Sequence, residues 1–431
     1  MKRALLLPML FALVLASGLA AAPTQITFWT NFTPPFSDYL QKMVDAYNAS
    51  QSAVQAKLVQ VPGSETDISK LMTAVRGGTG PDVYMLDRFT TAERAAAGVL
   101  TDLSPFIKKS EPKLADSYLP FAWAESQFQG KTFSLPFDTD TRALYYRADL
   151  LKAAGVDVSV LDPKNGPITI DQLKAIAAKY DKKDASGEYT QLGFVPQYNQ
   201  GWHYTWGFAY GGKFADLKAG KVTPTDPGVV AGFQFLYDWS KNLGPQKVST
   251  FLSTFNPPNV PPEQEMLVTG KVAMCVTGDW YIANMAQYAP NADYGVTYIP
   301  VPKKGDKPST WAGGWSFCVP QGAKNAAAGF DFCKWMAGPV GQKMYVQLSS
   351  HLPTIKALMD DKSLFSGKHE FFRQTLAFAS SRPALPVGGL YWDALTAAQN
   401  DVTDNVALPK DALAKVIDKV QPQLNKFLPL Q

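Results

Sequence analysis

Between residues 25 and 86 the chain switches between strand-like and helix-like periodicity four times, and no other feature restricts its fold as much. Residues 25–30 alternate polar and apolar side chains and stop at Asn31. Phe36, Tyr39, Leu40, Met43 and Tyr47 then recur at helical spacing. A strand over 56–61, a helix carrying Ile68, Leu71, Met72 and Val75, and a strand over 83–86 complete a β-α-β-α-β series. Such alternation predicts an α/β fold with a mostly parallel sheet flanked by helices on both faces. Ligands of these sheets sit beyond the carboxyl ends of the strands. Trp29, Asn31, Asp87 and Arg88 stand at those ends and become candidate binding residues.

A second α/β stretch follows residue 169. Thr169-Ile170-Asp171-Gln172 is a capping box in front of Leu173, Ile176 and Tyr180. Residues 192–195 read as a strand and 202–210 as an aromatic loop ending at the turn Gly211-Gly212. Asp226-Pro227 starts a helix with proline at its first position, and another helix ends at Gly270 before a strand over 272–276. Between the two α/β stretches, a turn at Gly130-Lys131 feeds an apolar run that stops at Pro136, a residue suited to a strand end. The Asp-rich segment after it leads to an apolar strand over 143–146. Local pattern leaves two readings open: a hairpin, or the passage from one domain to the next. The apolar strand over 294–301, closing on Pro302, reads as the return.

Lys2-Arg3, an apolar run over 4–16 and small residues over 18–22 form a secretory signal peptide, too short to span a bilayer as a mature helix. Pro23 disfavours a cut after Ala22, which places cleavage after Ala20 or Ala21. No cysteine lies near this junction to carry a lipid anchor, and no later run reaches transmembrane length, so a soluble periplasmic protein is expected. The formal charge of +4 falls to about +2 without Lys2 and Arg3, which argues against a nucleic-acid or membrane-surface partner. Cys275, Cys318 and Cys333 are too few for a disulfide framework. They read as buried small hydrophobes, with one Cys318–Cys333 bridge as the alternative.

Patterns for catalysis are missing. His203, His351 and His369 show no metal-ligand spacing, and there is no G-x-S-x-G elbow, Walker loop or dinucleotide fingerprint, so neither metal nor cofactor is expected. Asp138 and Asp140 could be the paired carboxylates of a secreted glycan hydrolase or lyase. Alternate residues of an extended segment point to opposite faces, however, and do not readily flank one bond. The stronger signal is aromatic. Trp202 and Trp206 share one loop and Trp311 and Trp315 another, while Trp29, Trp280 and Trp392 each abut an element end. A sugar offers apolar C–H faces and an edge of hydroxyls, which suits flat rings with carboxylate, guanidinium and amide groups around them. Burying one such face removes on the order of 50 Å² of apolar surface, roughly 1 kcal/mol at about 25 cal/mol per Å², so several rings are needed.

The stretch G-K-T-F-S-L-P-F-D-T-D-T-R-A-L-Y-Y-R-A-D-L-L-K-A-A-G, from Gly130 to Gly155, resembles the first interdomain crossover of bacterial extracellular solute-binding proteins of the carbohydrate, maltose-binding type. The resemblance covers the whole mature chain. Asp82-Val83-Tyr84-Met85-Leu86-Asp87-Arg88-Phe89 is similar to a family strand whose following Asp-Arg pair bonds sugar hydroxyls. Gly278-Asp279-Trp280, after Gly270 to Met274, is similar to the Gly-x-Trp of the second lobe, which stacks Trp280 on the ligand. Trp202 and Trp206 before Gly211-Gly212, Tyr391-Trp392, and Ala312-Gly313-Gly314-Trp315 resemble the aromatic loop, the C-terminal aromatic pair and the glycine-rich loop.

The family implies a two-lobed periplasmic-binding fold, with 23–137 and 299–350 forming the N-terminal lobe and 138–298 and 351–431 the C-terminal lobe. It implies hinge closure about 136–140 and 298–302, no enzyme activity, and a monomer that hands a carbohydrate to the membrane permease of an ABC importer. The implied ligand set is Trp29, Asn31, Asp87, Arg88, Asp138, Asp140, Trp202, Trp206, Trp280, Gly314, Trp315 and Trp392. Thr30-Asn31 replaces the charged pair of the maltose binder itself, which puts maltose in doubt. A polyol or glycerol phosphate ester is the alternative ligand on the same fold, with Arg88 and Arg142 the cations near the site.

Overall fold

Strand Thr24–Thr30 buries Ile26, Phe28 and Thr30 on one face, the period of two that its alternation predicts. Helix Phe36–Ser50 covers that face with Leu40, Met43, Val44 and Tyr47. Strand Val54–Gln60, helix Ser69–Arg76 and strand Val83–Asp87 follow, and both outer strands pair parallel to Thr24–Thr30. The computed structural model describes residues 22–64 and 66–430, so the signal segment lies outside the described residues. Among those residues no helix is long and apolar enough to cross a membrane.

Two five-stranded sheets organise the chain into two lobes. In the first, Trp315–Cys318 adds antiparallel to Val83–Asp87, with Trp315 opposite Asp87, and Leu135–Pro136 adds antiparallel to Trp315–Cys318. In the second, Tyr189–Phe194 runs parallel to Val272–Gly278. Arg142–Arg147, Tyr294–Thr297 and the edge strand Lys182–Lys183 join antiparallel. The parallel parts are those built by βα crossovers within a lobe. A strand that arrives from the other lobe needs no such crossover and can enter antiparallel. Strand Val272–Gly278 is buried at every position, because Met274 and Val276 meet one core and Cys275, on the opposite face, meets another.

Packing shows where the chain changes lobes. Phe137 belongs to the core of Phe28 and Phe317, whereas Leu144 belongs to the core of Phe194 and Met274. Ile299 and Trp311 still pack in the second of these cores and Trp315 in the first, so the return lies at 312–314, downstream of the 294–301 strand. Ile355 and Leu358 remain in the first core, and Phe372 packs on Tyr145 in the second lobe, which places the third passage between them. Gly314 sits at the second passage with φ +129, where a Cβ would collide with the Asp138 carbonyl and the Arg88 guanidinium.

Local signals are present as predicted. The Thr169–Gln172 capping box is complete, Asp226 caps a helix with Pro227 at its first turn, and Gly270 ends a helix in the left-handed region. The cysteine alternative is overturned. All three thiols are free and buried, and Cys318 and Cys333 pack in cores on opposite faces of the first sheet.

Candidate functional site

The carboxyl ends of the parallel strands point toward the gap between the lobes, as their topology requires. After Thr24–Thr30 come Asn31, Phe32 and Phe36; after Val54–Gln60 come Gly63, Ser64 and Thr66; Asp87 ends Val83–Asp87. From the facing lobe, Gln200 and Trp202 follow Tyr189–Phe194, and Trp280 follows Val272–Gly278. The connecting segments supply Asp140, Arg142, Trp311, Gly314, Trp315, His351 and Arg382, and Trp392 comes from helix Gly388–Thr403. Together they enclose a cavity of about 490 Å³, within the range of small-molecule sites.

Rings cover two sides of this cavity. Trp202 and Trp392 meet at 5.4 Å between centroids, with Trp311 6.5 Å from Trp392. Across the cavity Trp280 stacks on His351 at 5.3 Å and 26°, while Phe32 meets Trp315 edge-on at 4.5 Å. Trp202, Trp280 and Trp392 are half-buried, and all three line the cavity.

The cavity's charges are paired. Arg382 donates to Asp87 at 2.6 Å, and its guanidinium lies 3.9 Å above Phe89 and 5.0 Å from Trp311. Arg142 pairs with Asp140 and lies 3.4 Å over Trp311 and 5.2 Å from Trp280. Burial works to raise Asp140, but the Arg142 charge and the Gly313 N–H, 2.6 Å away, outweigh it and hold the carboxyl below the usual range. The result is a pair of neutral, hydrogen-bonding edges set among flat aromatic faces.

Of the residues assigned from sequence, Asn31, Asp87, Asp140, Trp202, Trp280, Gly314, Trp315 and Trp392 line the cavity together. Four others lie outside its wall. Strand parity turns Trp29 to the face opposite Phe28. Trp206 lies in helix His203–Ala209, where a loop was expected. One turn after Trp202 it enters the core between Phe194 and Phe235, its indole N–H donating to Pro196 O at 3.0 Å. Arg88 is consumed between the lobes by Glu125, the Asp138 carbonyl and the Gly313 carbonyl. Asp138 acts behind the wall, accepting the Trp315 N–H at 2.6 Å.

Phe32, Phe36, Gly63, Ser64, Thr66, Gln200, His351 and Arg382 line the cavity without a sequence assignment, and so do Arg142 and Trp311, which the sequence marks only as a nearby cation and a loop tryptophan. The strand-end rule that selected Asn31 also reaches Phe32 and Ser64. His351 and Arg382 carry no local signal. No group of three or more His, Cys, Asp or Glu side chains among the described residues could hold a metal ion.

A family model for bacterial extracellular solute-binding proteins matches residues 42–370. This chain belongs to that family. Among the relatives of this solute-binding protein, a maltotriose-binding protein of Pyrococcus abyssi is 23% identical over 408 residues, covering 93% of this chain and 82% of the relative. A probable ABC transporter-binding protein of Deinococcus radiodurans is 27% identical over 422 residues, covering 92% and 93%. Among solved structures, CpMnBP1 with mannobiose bound superposes with a TM-score of 0.81 at 23% identity, covering 92% of this chain and 99% of that one. The fold is therefore that of a two-lobed solute-binding protein, and the cavity lies where its two sheets face each other.

Proposed function

We propose that this solute-binding protein holds a short oligosaccharide in the interlobe cleft, closes on it by rotation about the passages at 137–142, 312–314 and 359–372, and presents the closed form to the membrane permease of an ABC importer. The lobes are taken as 23–137 with 315–358 and 142–311 with 372–430, and the protein acts as a monomer exported across the inner membrane. The observation that carries the ligand class is the cleft's pairing of Asp87 with Arg382 and Asp140 with Arg142 among Trp202, Trp280, Trp311 and Trp392. Both cations are neutralised by carboxylates on the protein, so a phosphate ester would have to break an ion pair to bind. A neutral polyol chain with apolar faces fits without doing so. Micromolar affinity corresponds to about 8 kcal/mol. Three stacked rings at roughly 1 kcal/mol each supply under half of that, so hydrogen bonds to the paired edges must carry the larger share.

A thermal-shift screen over mono-, di- and oligosaccharides and glycerol phosphate esters tests this, since a ligand at about 100 times its Kd stabilises by about 2.7 kcal/mol. An oligosaccharide should give the largest shift. Trp280→Ala should weaken binding with little change in ligand-free unfolding, and Asp87→Ala should weaken binding and also lower ligand-free stability, because it leaves the buried Arg382 guanidinium without its carboxylate. Preferential stabilisation by a phosphate ester, or unaltered affinity in both variants, would remove the assignment. Release of shortened sugars on incubation would make the protein a hydrolase.

A further inference from the structure

Behind the Trp280 side of the cleft lies a group of buried titratable side chains that the carbohydrate reading does not use. His351 is stacked between Trp280, at 5.3 Å and 26°, and Tyr345, at 5.3 Å and 11°. Its Nδ1 lies 3.4 Å from Asp279 and 3.8 Å from Asp138, and the three side chains are 5%, 0% and 2% exposed. Both oxygens of Asp279, Oδ2 of Asp138 and Nδ1 of His351 are buried without a hydrogen-bond partner. Buried polar groups left in this way are rare and need an explanation.

The surrounding elements deepen the imbalance. The passage at 137–142 adds Asp140 and Arg142, which neutralise each other. Helix Gly367–Thr375 brings His369 near, and helix Pro339–Ser349 adds Tyr345, whose hydroxyl is also unpartnered. With every carboxyl ionised and His351 neutral, Asp138 and Asp279 would be two carboxylates in one enclosed site, eased only in part by the Arg88 and Arg142 charges and by the Trp315 N–H on Asp138, which is costly. Burial instead pushes both carboxyls well above their ordinary range and pushes His351 down to about 4.

We infer that His351 contacts the ligand at the floor of the cleft, and that the Asp138–Asp279–His351 cluster behind it takes up a proton when the ligand binds. The inference rests on the carbohydrate reading of the cleft. His351 alone of the three lines the cavity, so its outer face meets whatever fills it while its Nδ1 reads the carboxyls. A ligand that excludes water from this wall disfavours the ionised carboxylates further. A proton from bulk solvent then adds to a carboxylate oxygen of the Asp138–Asp279 pair, and by linkage affinity rises as pH falls. The gain ends at lower pH, where Asp140, held below the usual range, takes a proton and releases Arg142.

Titration calorimetry of the wild-type chain with mannobiose and maltotriose as probes, in two buffers of different ionisation enthalpy, tests the linkage without a variant. About half a proton should be taken up per ligand, equivalent to roughly threefold in affinity per pH unit. Asp279→Asn should cut that uptake to a third or less, and His351→Gln should weaken binding at least tenfold. Heats independent of buffer, uptake retained in Asp279→Asn, or unchanged affinity in His351→Gln would each overturn the inference. A second arm needs no ligand. The His351 ring, followed by NMR against pH, should titrate far below 6.5 and shift its midpoint in Asp279→Asn. An ordinary midpoint indifferent to that substitution would refute the cluster. If neither sugar binds, the reading of the cleft fails, and the ring titration still decides whether the three groups act together.

Discussion

Arg88 donates from Nε to Glu125 at 2.6 Å, from one terminal nitrogen to the Asp138 carbonyl and from the other to the Gly313 carbonyl at 2.6 Å, while its backbone N–H reaches Gly314 O at 2.9 Å. One side chain thus ties the first lobe to two of the three passages. Burial pushes the Glu125 carboxyl up even against the nearby Arg88 charge, so Glu125 depends on that partner. Removing one member of a buried pair costs about 3–5 kcal/mol, because the other stays behind uncompensated. Arg88→Met should therefore lower stability by about that amount in denaturant unfolding, and Arg88→Met with Glu125→Leu should recover most of it. A simple ligand contact would instead lose affinity and keep its stability. In sequence, Asp87 and Arg88 look like one ligand-binding pair. They part because Asp87 ends its strand at the cleft while Arg88 begins the turn behind it, a difference fixed by backbone direction rather than by residue type.

The junction between strand Val272–Gly278 and helix Tyr281–Tyr288 shows the same dependence one level up. Trp280 is the residue before the helix, and its indole lies over Gly278, where a Cβ would overlap the ring. The glycine is a seat for the indole. Gly278→Ala should push the ring off its position and weaken ligand binding by roughly 1 kcal/mol or more, the value of one stacked face, with little change in secondary structure by circular dichroism. Affinity equal to wild type would show that the indole does not need this seat. The Gly-Asp-Trp junction, the Thr169 capping box and the Gly270 stop were legible because each rests on neighbours in sequence. Helix His203–Ala209 was not. At seven residues it is below the length that stands alone in water, and it exists because Tyr204 and Trp206 pack into the core. That packing separates Trp202, in the cleft, from Trp206, beneath it.

Two lobes, a crossing near Pro136 and a ring-lined cleft could be read from the chain. The return at 312–314 could not, because the apolar run over 294–301 looks the same whether it crosses or, as here, forms only the edge strand Tyr294–Thr297 of the second sheet against Arg142–Arg147. His351 and Arg382 reach the cleft only through the third passage, so no local pattern could mark them. The same passage brings helix Gly388–Thr403, packed in the second lobe, against the first. Glu93 of the first lobe accepts the Gly389 N–H at 2.7 Å and the Leu390 N–H at 3.4 Å, and Thr66 Oγ1 donates to Asp393 at 3.1 Å, on either side of Trp392. A carboxylate at a helix N-terminus contributes about 1 kcal/mol in a partly buried setting. If the contact forms as the lobes close, that free energy adds to ligand binding, because closure and binding share one equilibrium. Glu93→Gln should then lower affinity roughly fivefold, leave ligand-free melting unchanged, and reduce the ligand-induced contraction seen by small-angle scattering. A drop in ligand-free stability with unchanged affinity would instead make Glu93 a permanent strut beside the hinge, and closure would have to draw its free energy from the aromatic wall alone.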